Sequence, residues 1–158
     1  MTAQIKVLDK ELELLAEDQY PVTQRLRDIT GVGLLTSLAF VLTVEDPERF
    51  AKARDVGAYL GLVPKRDQSG TLDKELRISK AGNKYMRKLL VSAAQYIIGP
   101  FGEDCDLRAK GMHLLERGGQ KVKKKAVIAV ARSLAVTLTY SSIKDNVEID
   151  DAIFAMPE

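Results

Sequence analysis

Glycine and proline breaks limit the length of every regular element that this chain can form. They fall at Pro21, 31–33, 61–64, 99–100 and 118–119. Between most of these breaks, apolar residues recur at three- and four-residue spacing, which is the period of an amphipathic helix. Residues 64–78 lack this period and are expected to form a basic loop with room for a short β-hairpin. The pattern predicts a mainly α fold.

Helix signals at the breaks give approximate bounds for these elements. Pro21 suits the first turn of a helix, and Ser79 or Asn83 suits the start of a later one. The predicted helices cover 2–19, 21–28, the apolar run up to Val44, 55–60, a span from 79 or 83 to 98, 103–117 and 121–141. We expect a helical arm over 1–20, a compact domain with a helix-hairpin-helix-like motif over 21–144, and a frayed tail over 145–158.

The arm carries an apolar seam at Ile5, Leu8, Leu12 and Leu15. This alternating spacing is typical of a coiled coil or of an amphipathic helix packed on its own domain. Two heptads are too few for a stable coiled coil alone. We predict that the arm associates with a second copy, which makes the protein a homo-oligomer.

Gly31 and Gly33 flank Val32 between two predicted helices. Both glycines are expected to allow the positive φ of a tight turn, and both leave room for a phosphate near the next helix start. The pattern is that of a helix-hairpin-helix motif, which binds the DNA backbone. A plain helical hairpin packed in the core explains the two glycines equally well.

Positive charge is concentrated in one segment, although the net charge of +2 is too small to indicate nucleic acid by itself. Residues 1–60 carry a net charge of −3, residues 61–88 carry +5, and residues 89–158 are balanced. Such clustering is typical of a polyanion-binding site, but also of a solvated loop. The candidate contacts are Lys65, Arg66, Arg77, Lys80, Lys84, Arg87 and Lys88.

Ser69 lies within this basic segment, next to a glycine. A serine hydroxyl needs activation to act as a nucleophile, and lysines and arginines can stabilise both an alkoxide and a phosphoryl transition state. An ordinary loop serine is the other interpretation. The single histidine, His113, excludes a multi-histidine metal site, and the single cysteine excludes an intramolecular disulfide. We find no signal peptide, no apolar stretch of membrane-spanning length, no P-loop and no dinucleotide fingerprint.

The order of several short elements is more specific than any one of them. The elements are "DPERF", "AYLGLVP", "SG", "RISKAGN" and "KKKAVIAVAR". Together with the glycine hairpin, they resemble the C-terminal domain of bacterial insertion-sequence transposases that pair a DEDD-type, RuvC-like nuclease domain with a serine domain. The resemblance covers about residues 26–140.

The resemblance implies a role in bacterial DNA strand cleavage and exchange, directed by a bridge RNA. It implies that Ser69 is the catalytic nucleophile, that residues 77–88 contact DNA or guide RNA, and that residues 2–19 match a coiled-coil arm. The nuclease domain, with its four metal-binding acids, is missing from this sequence. We therefore expect no cofactor or metal in this chain, magnesium only through that other domain, and no catalysis by this part alone. The alternative is a non-catalytic helix-hairpin-helix module. Either protein is expected in the cytoplasm, at the nucleoid and away from membranes.

Overall fold

A computed structural model describes residues 2–69 and 72–143, and it describes side chains for all of these except 66–76. The predicted tail over 145–158 lies outside this range. The helices are α1 Thr2–Gln19, α2 Val22–Arg27, α3 Leu34–Val44, a 3₁₀ helix Pro47–Arg49, α4 Asp55–Tyr59, α5 Lys84–Ile98, α6 Asp106–Glu116 and α7 Val122–Ile143. The strands β1 Pro64–Ser69 and β2 Leu72–Ile78 form an antiparallel hairpin. The mainly α prediction is confirmed.

Helix α7 forms the centre of the core and packs against α2, α4, α5 and α6. Val130, Leu134 and Leu138 are fully buried on its inner face, as their spacing predicts. Helix α7 is long enough and apolar enough to cross a membrane, so the expectation that no apolar stretch has this length is wrong. Its lysines are confined to its first turn. However, 56% of its 18-residue apolar stretch is buried inside the fold, which is typical of the core helix of a globular domain.

Helix α5 begins where an asparagine cap was predicted. The side chain of Asn83 accepts a hydrogen bond from the backbone N–H of Met86 at 2.9 Å, which satisfies one free donor of the first turn. At the other end, Arg108 Nη1 donates to the carbonyl oxygens of Ile97 and Gly99, at 2.7 and 2.6 Å. Arg108 belongs to α6, so this contact joins α6 to the end of α5. Helix α6 begins three residues later than the pattern predicts.

Helix α1 packs on the rest of the fold through its C-terminal half. Ala16 is fully buried there, and an ion pair between Glu13 and Arg27 joins α1 to α2. At the N-terminal end of the predicted seam, Ile5 is 51% exposed and Leu8 is 57% exposed. The helix is confirmed, and its apolar seam is covered only in part by its own domain.

Candidate nucleic-acid interface

The two glycines between α2 and α3 have different environments. Gly31 has a φ of +83°, and a Cβ there would lie 2.9 Å from Cγ1 of Ile97, so this glycine allows close packing against α5. Gly33 has an extended backbone with a φ of −101°, which any residue can adopt. The expectation of a positive φ at Gly33 is therefore wrong. A Cβ at Gly33 would meet no atom of the described chain within 4 Å.

Helix α3 begins at the exposed side of this turn. Its N-cap residue is Gly33, which has no side chain to accept a hydrogen bond from the first-turn N–H groups. The backbone donors at this helix start are thus left for water or an anion. Of the two glycines predicted to approach a phosphate, only Gly33 faces open space; Gly31 faces the core.

The end of α4 packs closely against the segment that precedes α5. We call residues 59–63 and 79–83 the α4–α5 junction. The backbone N–H of Ser79 donates to the Val63 carbonyl at 2.8 Å, and that of Lys80 donates to the Gly61 carbonyl at 3.1 Å. A Cβ at Gly82 would lie 2.2 Å from the Tyr59 carbonyl oxygen, so the two segments approach as closely as the backbone allows. The "AYLGLVP" and "RISKAGN" elements are therefore two halves of one structural unit.

Arg87 holds this junction together from the first turns of α5. Its Nη1 donates to the carbonyl oxygens of Leu60 at 3.1 Å and of Ala81 at 2.7 Å. Leu60 is fully buried, so its carbonyl is shielded from water. The side chain of Arg87 is half-buried, and at least one of its nitrogens already has structural partners. The sequence pattern grouped Arg87 with the free surface cations and gave no sign of this second role.

Arg49 is a cation at the same edge of the fold that the sequence pattern did not single out. Its guanidinium lies over the Tyr59 ring, 4.5 Å from the ring centroid, and 5.1 Å from the centroid of Phe50. The Tyr59 hydroxyl donates to the Thr43 carbonyl at 3.2 Å, which ties this aromatic pair to the end of α3. The clue in the sequence was the combination of "DPERF" and "AYLGLVP", whose cationic and aromatic residues meet here.

The hairpin separates Ser69 from the cations at its base. Ser69 ends β1 and pairs with Leu72, and residues 70–71 between them lie outside the described part of the chain. Lys65 lies four residues earlier in β1, which is about 13 Å along an extended strand. The register shifts between Pro64 and Arg66, so two residues of β2 oppose Lys65, and Arg77 is one of them. Lys65 and Arg77 therefore lie at the base of this hairpin, and Ser69 lies at the far end of β1.

Five of the predicted contacts form an exposed group around the junction. We call Lys65, Arg77, Lys80, Lys84 and Lys88 the junction cations. All five side chains are exposed. Among the described side chains, none of the five has a carboxylate oxygen within 4 Å. The side chains of Arg66 and Ser69 fall outside that description, so their positions as site residues stay predictions.

Acidic and histidine residues do not form a metal site in the described part of the chain. No group of three His, Cys, Asp or Glu residues there is close enough to hold an ion. His113 is exposed, with its Nδ1 4.0 Å from a Glu116 carboxylate oxygen on the same helix. The exposed junction cations and the uncapped start of α3 are features that suit an anionic partner.

Comparisons with known proteins show which sequences this chain resembles. A family model described as "Transposase IS116/IS110/IS902 family" matches residues 23–104, which include α2–α5, the hairpin and the junction. The chain is 34% identical over 113 residues to the transposase for insertion sequence element IS1111A of Coxiella burnetii, covering 71% of this chain and 30% of that protein. It is 32% identical over 129 residues to the pilin gene-inverting protein of Moraxella lacunata, covering 81% of this chain and 38% of that protein.

The relatives are considerably longer than this chain, which spans about a third of their length. The similarity to both relatives extends over more than two thirds of this chain. The region that the family model matches contains the glycine turn, the hairpin and all five junction cations. On these grounds, the chain belongs to the IS116/IS110/IS902 transposase family.

Proposed function

We propose that this chain is the DNA-binding, serine-bearing C-terminal part of a transposase, and that the junction cations contact nucleic-acid phosphates. The observation that carries this proposal is the exposed group of five cations without carboxylate partners among the described side chains. The names of the relatives, a transposase and a gene-inverting protein, describe the rearrangement of DNA, and this supports DNA as the partner.

The positions of Lys84 and Lys88 are unfavourable for the stability of the free protein. Lys84 lies in the first turn of α5, where the helix dipole disfavours a positive charge by about 0.3–1 kcal/mol. Lys88 lies four residues after Lys84 on the same helix, and like charges at this spacing repel each other. A bound phosphate would offset both unfavourable interactions, because it accepts charge-assisted hydrogen bonds from lysine. These two residues therefore favour a binding role over a stabilising one.

We further propose that Ser69 is the nucleophile. In this step its Oγ would bond to the phosphorus of a DNA phosphodiester and one phosphorus–sugar oxygen bond would break. The serine hydroxyl proton would pass through water to the sugar oxygen that leaves, which gives a free hydroxyl end. The position of Ser69 at the last residue of β1, away from the base of the hairpin, supports this proposal. Because Lys65 and Arg77 lie at the base, cations near the reacting phosphate would come from Arg66 or Lys74, or from another part of the assembly.

The magnesium ion is proposed to bind outside this chain. Among the described residues, no three His, Cys, Asp or Glu side chains lie close enough together to hold it. In the proposal it is held by the acids of the nuclease domain. A guide RNA is a second proposed partner of the junction cations, since its phosphates offer the same acceptors as those of DNA.

A non-catalytic helix-hairpin-helix module is the second candidate function. Two observations favour it: Gly33 faces open space at an uncapped helix start, and Ser69 lies away from the cations at the hairpin base. In this alternative the protein grips the backbone through α3 and the junction, and Ser69 takes no part in chemistry.

Salt-dependent binding tests the nucleic-acid proposal. Fluorescence anisotropy with a labelled DNA duplex and with a structured RNA should show affinity that falls steeply as salt rises. If Lys84 and Lys88 both contact phosphates, changing both to glutamine should reduce the slope of log K against log salt by about 1.8. The matched control is Lys6→Gln with Lys10→Gln, two exposed lysines of α1. A flat salt response of the unmodified protein would refute the proposal.

Adduct formation separates the two candidate functions. In the full-length transposase, with guide RNA and magnesium, a labelled DNA substrate should remain attached to the protein on a denaturing gel. Ser69→Ala should abolish the adduct while leaving DNA affinity unchanged. Ser79→Ala is the matched control, since Ser79 Oγ accepts a local hydrogen bond from the Ala81 N–H at 3.3 Å. If the adduct survives Ser69→Ala, or if Ser79→Ala removes it instead, Ser69 is not the nucleophile.

A further inference from the structure

We propose that Arg49 and Tyr59 form a stacking site for an unpaired nucleobase, beside the junction cations. Arg49 ends the 3₁₀ helix and Tyr59 ends α4. The phosphate contacts proposed above assign no role to Arg49. This inference rests on the proposed function, because it concerns the base of a nucleotide whose phosphates the junction cations would hold. It adds a contact that depends on the bases of the strand and not on its charge.

The site is built from a guanidinium group and an aromatic ring that are already in contact. The Cζ atom of Arg49 lies over the Tyr59 ring, 4.5 Å from the ring centroid. Phe50 packs against Tyr59 in an edge-to-face arrangement, with 5.5 Å between the ring centroids and 62° between the ring planes. Cation–π attraction therefore positions the guanidinium, and the aromatic pair positions the Tyr59 ring.

Hydrogen bonds connect this ring to the start of α5. The Tyr59 hydroxyl donates to the Thr43 carbonyl at 3.2 Å, and the Thr43 hydroxyl oxygen accepts a hydrogen bond from Asn83 Nδ2 at 3.5 Å. Asn83 is the N-cap of α5 and immediately precedes Lys84. Thr43 therefore links the ring to the helix start that carries a junction cation, so the stacking site and this cation lie on one connected surface.

Arg49 is exposed, and the two rings are its contacts among the described side chains. No carboxylate oxygen of a described side chain lies within 4 Å of its guanidinium. Tyr59 keeps 38% of its surface exposed, although its hydroxyl is hydrogen-bonded. A guanidinium that rests on a ring and stays open to solvent offers a flat, positively charged surface. Nucleobases stack on such arginines as they do on aromatic rings.

Stacking of this kind selects an unpaired base over a paired one. In a duplex both faces of a base are covered by its neighbours, whereas a base in a single strand or a bulge can turn out and stack on a side chain. The junction cations would hold the phosphates of either form, because phosphate contacts carry no information about the base. Arg49 and Tyr59 therefore predict a preference for strands with unpaired bases when the number of phosphates is equal.

Two labelled strands, with and without bases, test the site. An oligothymidine and a strand of equal length built from abasic residues carry the same phosphates, so their counterion release is matched. In fluorescence anisotropy the 158-residue chain should bind the oligothymidine more tightly, by about 5-fold or more, which is the lower limit for one stacked base.

Three variants show where the base is bound. Arg49→Lys keeps the charge but removes the planar group, so it should lose most of this ratio with an unchanged slope of log K against log salt. Tyr59→Leu removes the ring and should also lose the ratio. Thermal unfolding shows whether Tyr59→Leu is folded, and Arg49→Lys decides the result if it is not. The matched control is Arg117→Lys, at an exposed arginine that follows α6, and it should keep the ratio.

The outcomes separate this site from the proposed function. Equal binding of the two strands by the unmodified chain, with affinity that falls steeply as salt rises, would overturn the stacking site and leave phosphate binding intact. A ratio that survives both Arg49→Lys and Tyr59→Leu would overturn the assignment to these residues. No binding of either strand at low salt would overturn both proposals. The same pair of strands made as RNA identifies the source of the base, because the site prefers the nucleic acid that gives the larger ratio.

Discussion

Replacing Arg87 with glutamine should destabilise the domain, whereas the same change one residue later, at Lys88, should not. Both side chains carry a positive charge near the start of α5, where the helix dipole disfavours it. Only Arg87 also donates to two carbonyl oxygens of the α4–α5 junction, those of Leu60 and Ala81. The two variants remove the same charge but differ in these hydrogen bonds.

The magnitude follows from the burial of the two carbonyl groups. Leu60 is fully buried, so its unsatisfied carbonyl should cost about 1–3 kcal/mol. Ala81 is exposed, and water can replace the lost donor there, at a cost of about 0.5–1.5 kcal/mol. Removing a charge that opposes the dipole returns about 0.3–1 kcal/mol. The net loss is about 2 kcal/mol, which corresponds to a fall in Tm of roughly 4–8 °C for a protein of this size.

Urea unfolding followed by circular dichroism measures this difference. For Arg87→Gln the midpoint should fall with an unchanged m value, because the folded structure remains the same. For Lys88→Gln the midpoint should stay constant or rise slightly. Equal stability of the two variants would refute the structural role of Arg87 and return it to the group of free surface cations.

Two further predictions concern α1 and Lys110. Replacing both Ile5 and Leu8 with glutamine should convert an oligomer into a monomer in light scattering, because these two apolar side chains are exposed on α1. A monomeric unmodified chain would contradict self-association through this seam. Burial lowers the folded-state pKa of Lys110 below 10.5, its value in the unfolded chain. Between these two pKa values the unfolded chain binds more protons than the folded protein, so the free energy of unfolding should rise with pH across this window. Lys110→Met should show a smaller rise, and identical pH profiles would mean that Lys110 titrates normally.

The local sequence was sufficient to place most of the helices. Apolar spacing predicted α1 and the buried face of α7, and the Asn83 cap predicted the start of α5, because these signals act within one or two turns. The order of the short elements was enough to indicate the transposase family. Each of these features depends on residues close in sequence, or on a pattern that can be read without contacts.

Long-range contacts decided what the local pattern left open. Gly31 and Gly33 look alike in the sequence, but only Gly31 meets Ile97, on a helix more than 60 residues away. In the sequence Arg87 resembles the neighbouring lysines. It differs from them in the fold because α4 ends at Tyr59, and Arg87 donates to the Leu60 carbonyl that follows. Strand pairing moved the cations of the hairpin base away from Ser69.

The surroundings of Lys110 show the same limit, because burial and then the nearby charge of Arg132 contribute to its lowered pKa. Lys110 and Arg132 lie on different helices, and nothing in the spacing of either residue indicates that they converge. Their approach depends on the packing of α6 against α7 and on the space above Gly57. The sequence by itself determined which segments are helical and which family they belong to. The tertiary structure decided which charges meet, because the energy of a charge depends on its distance to other charges and on its burial, and only packing sets these two quantities.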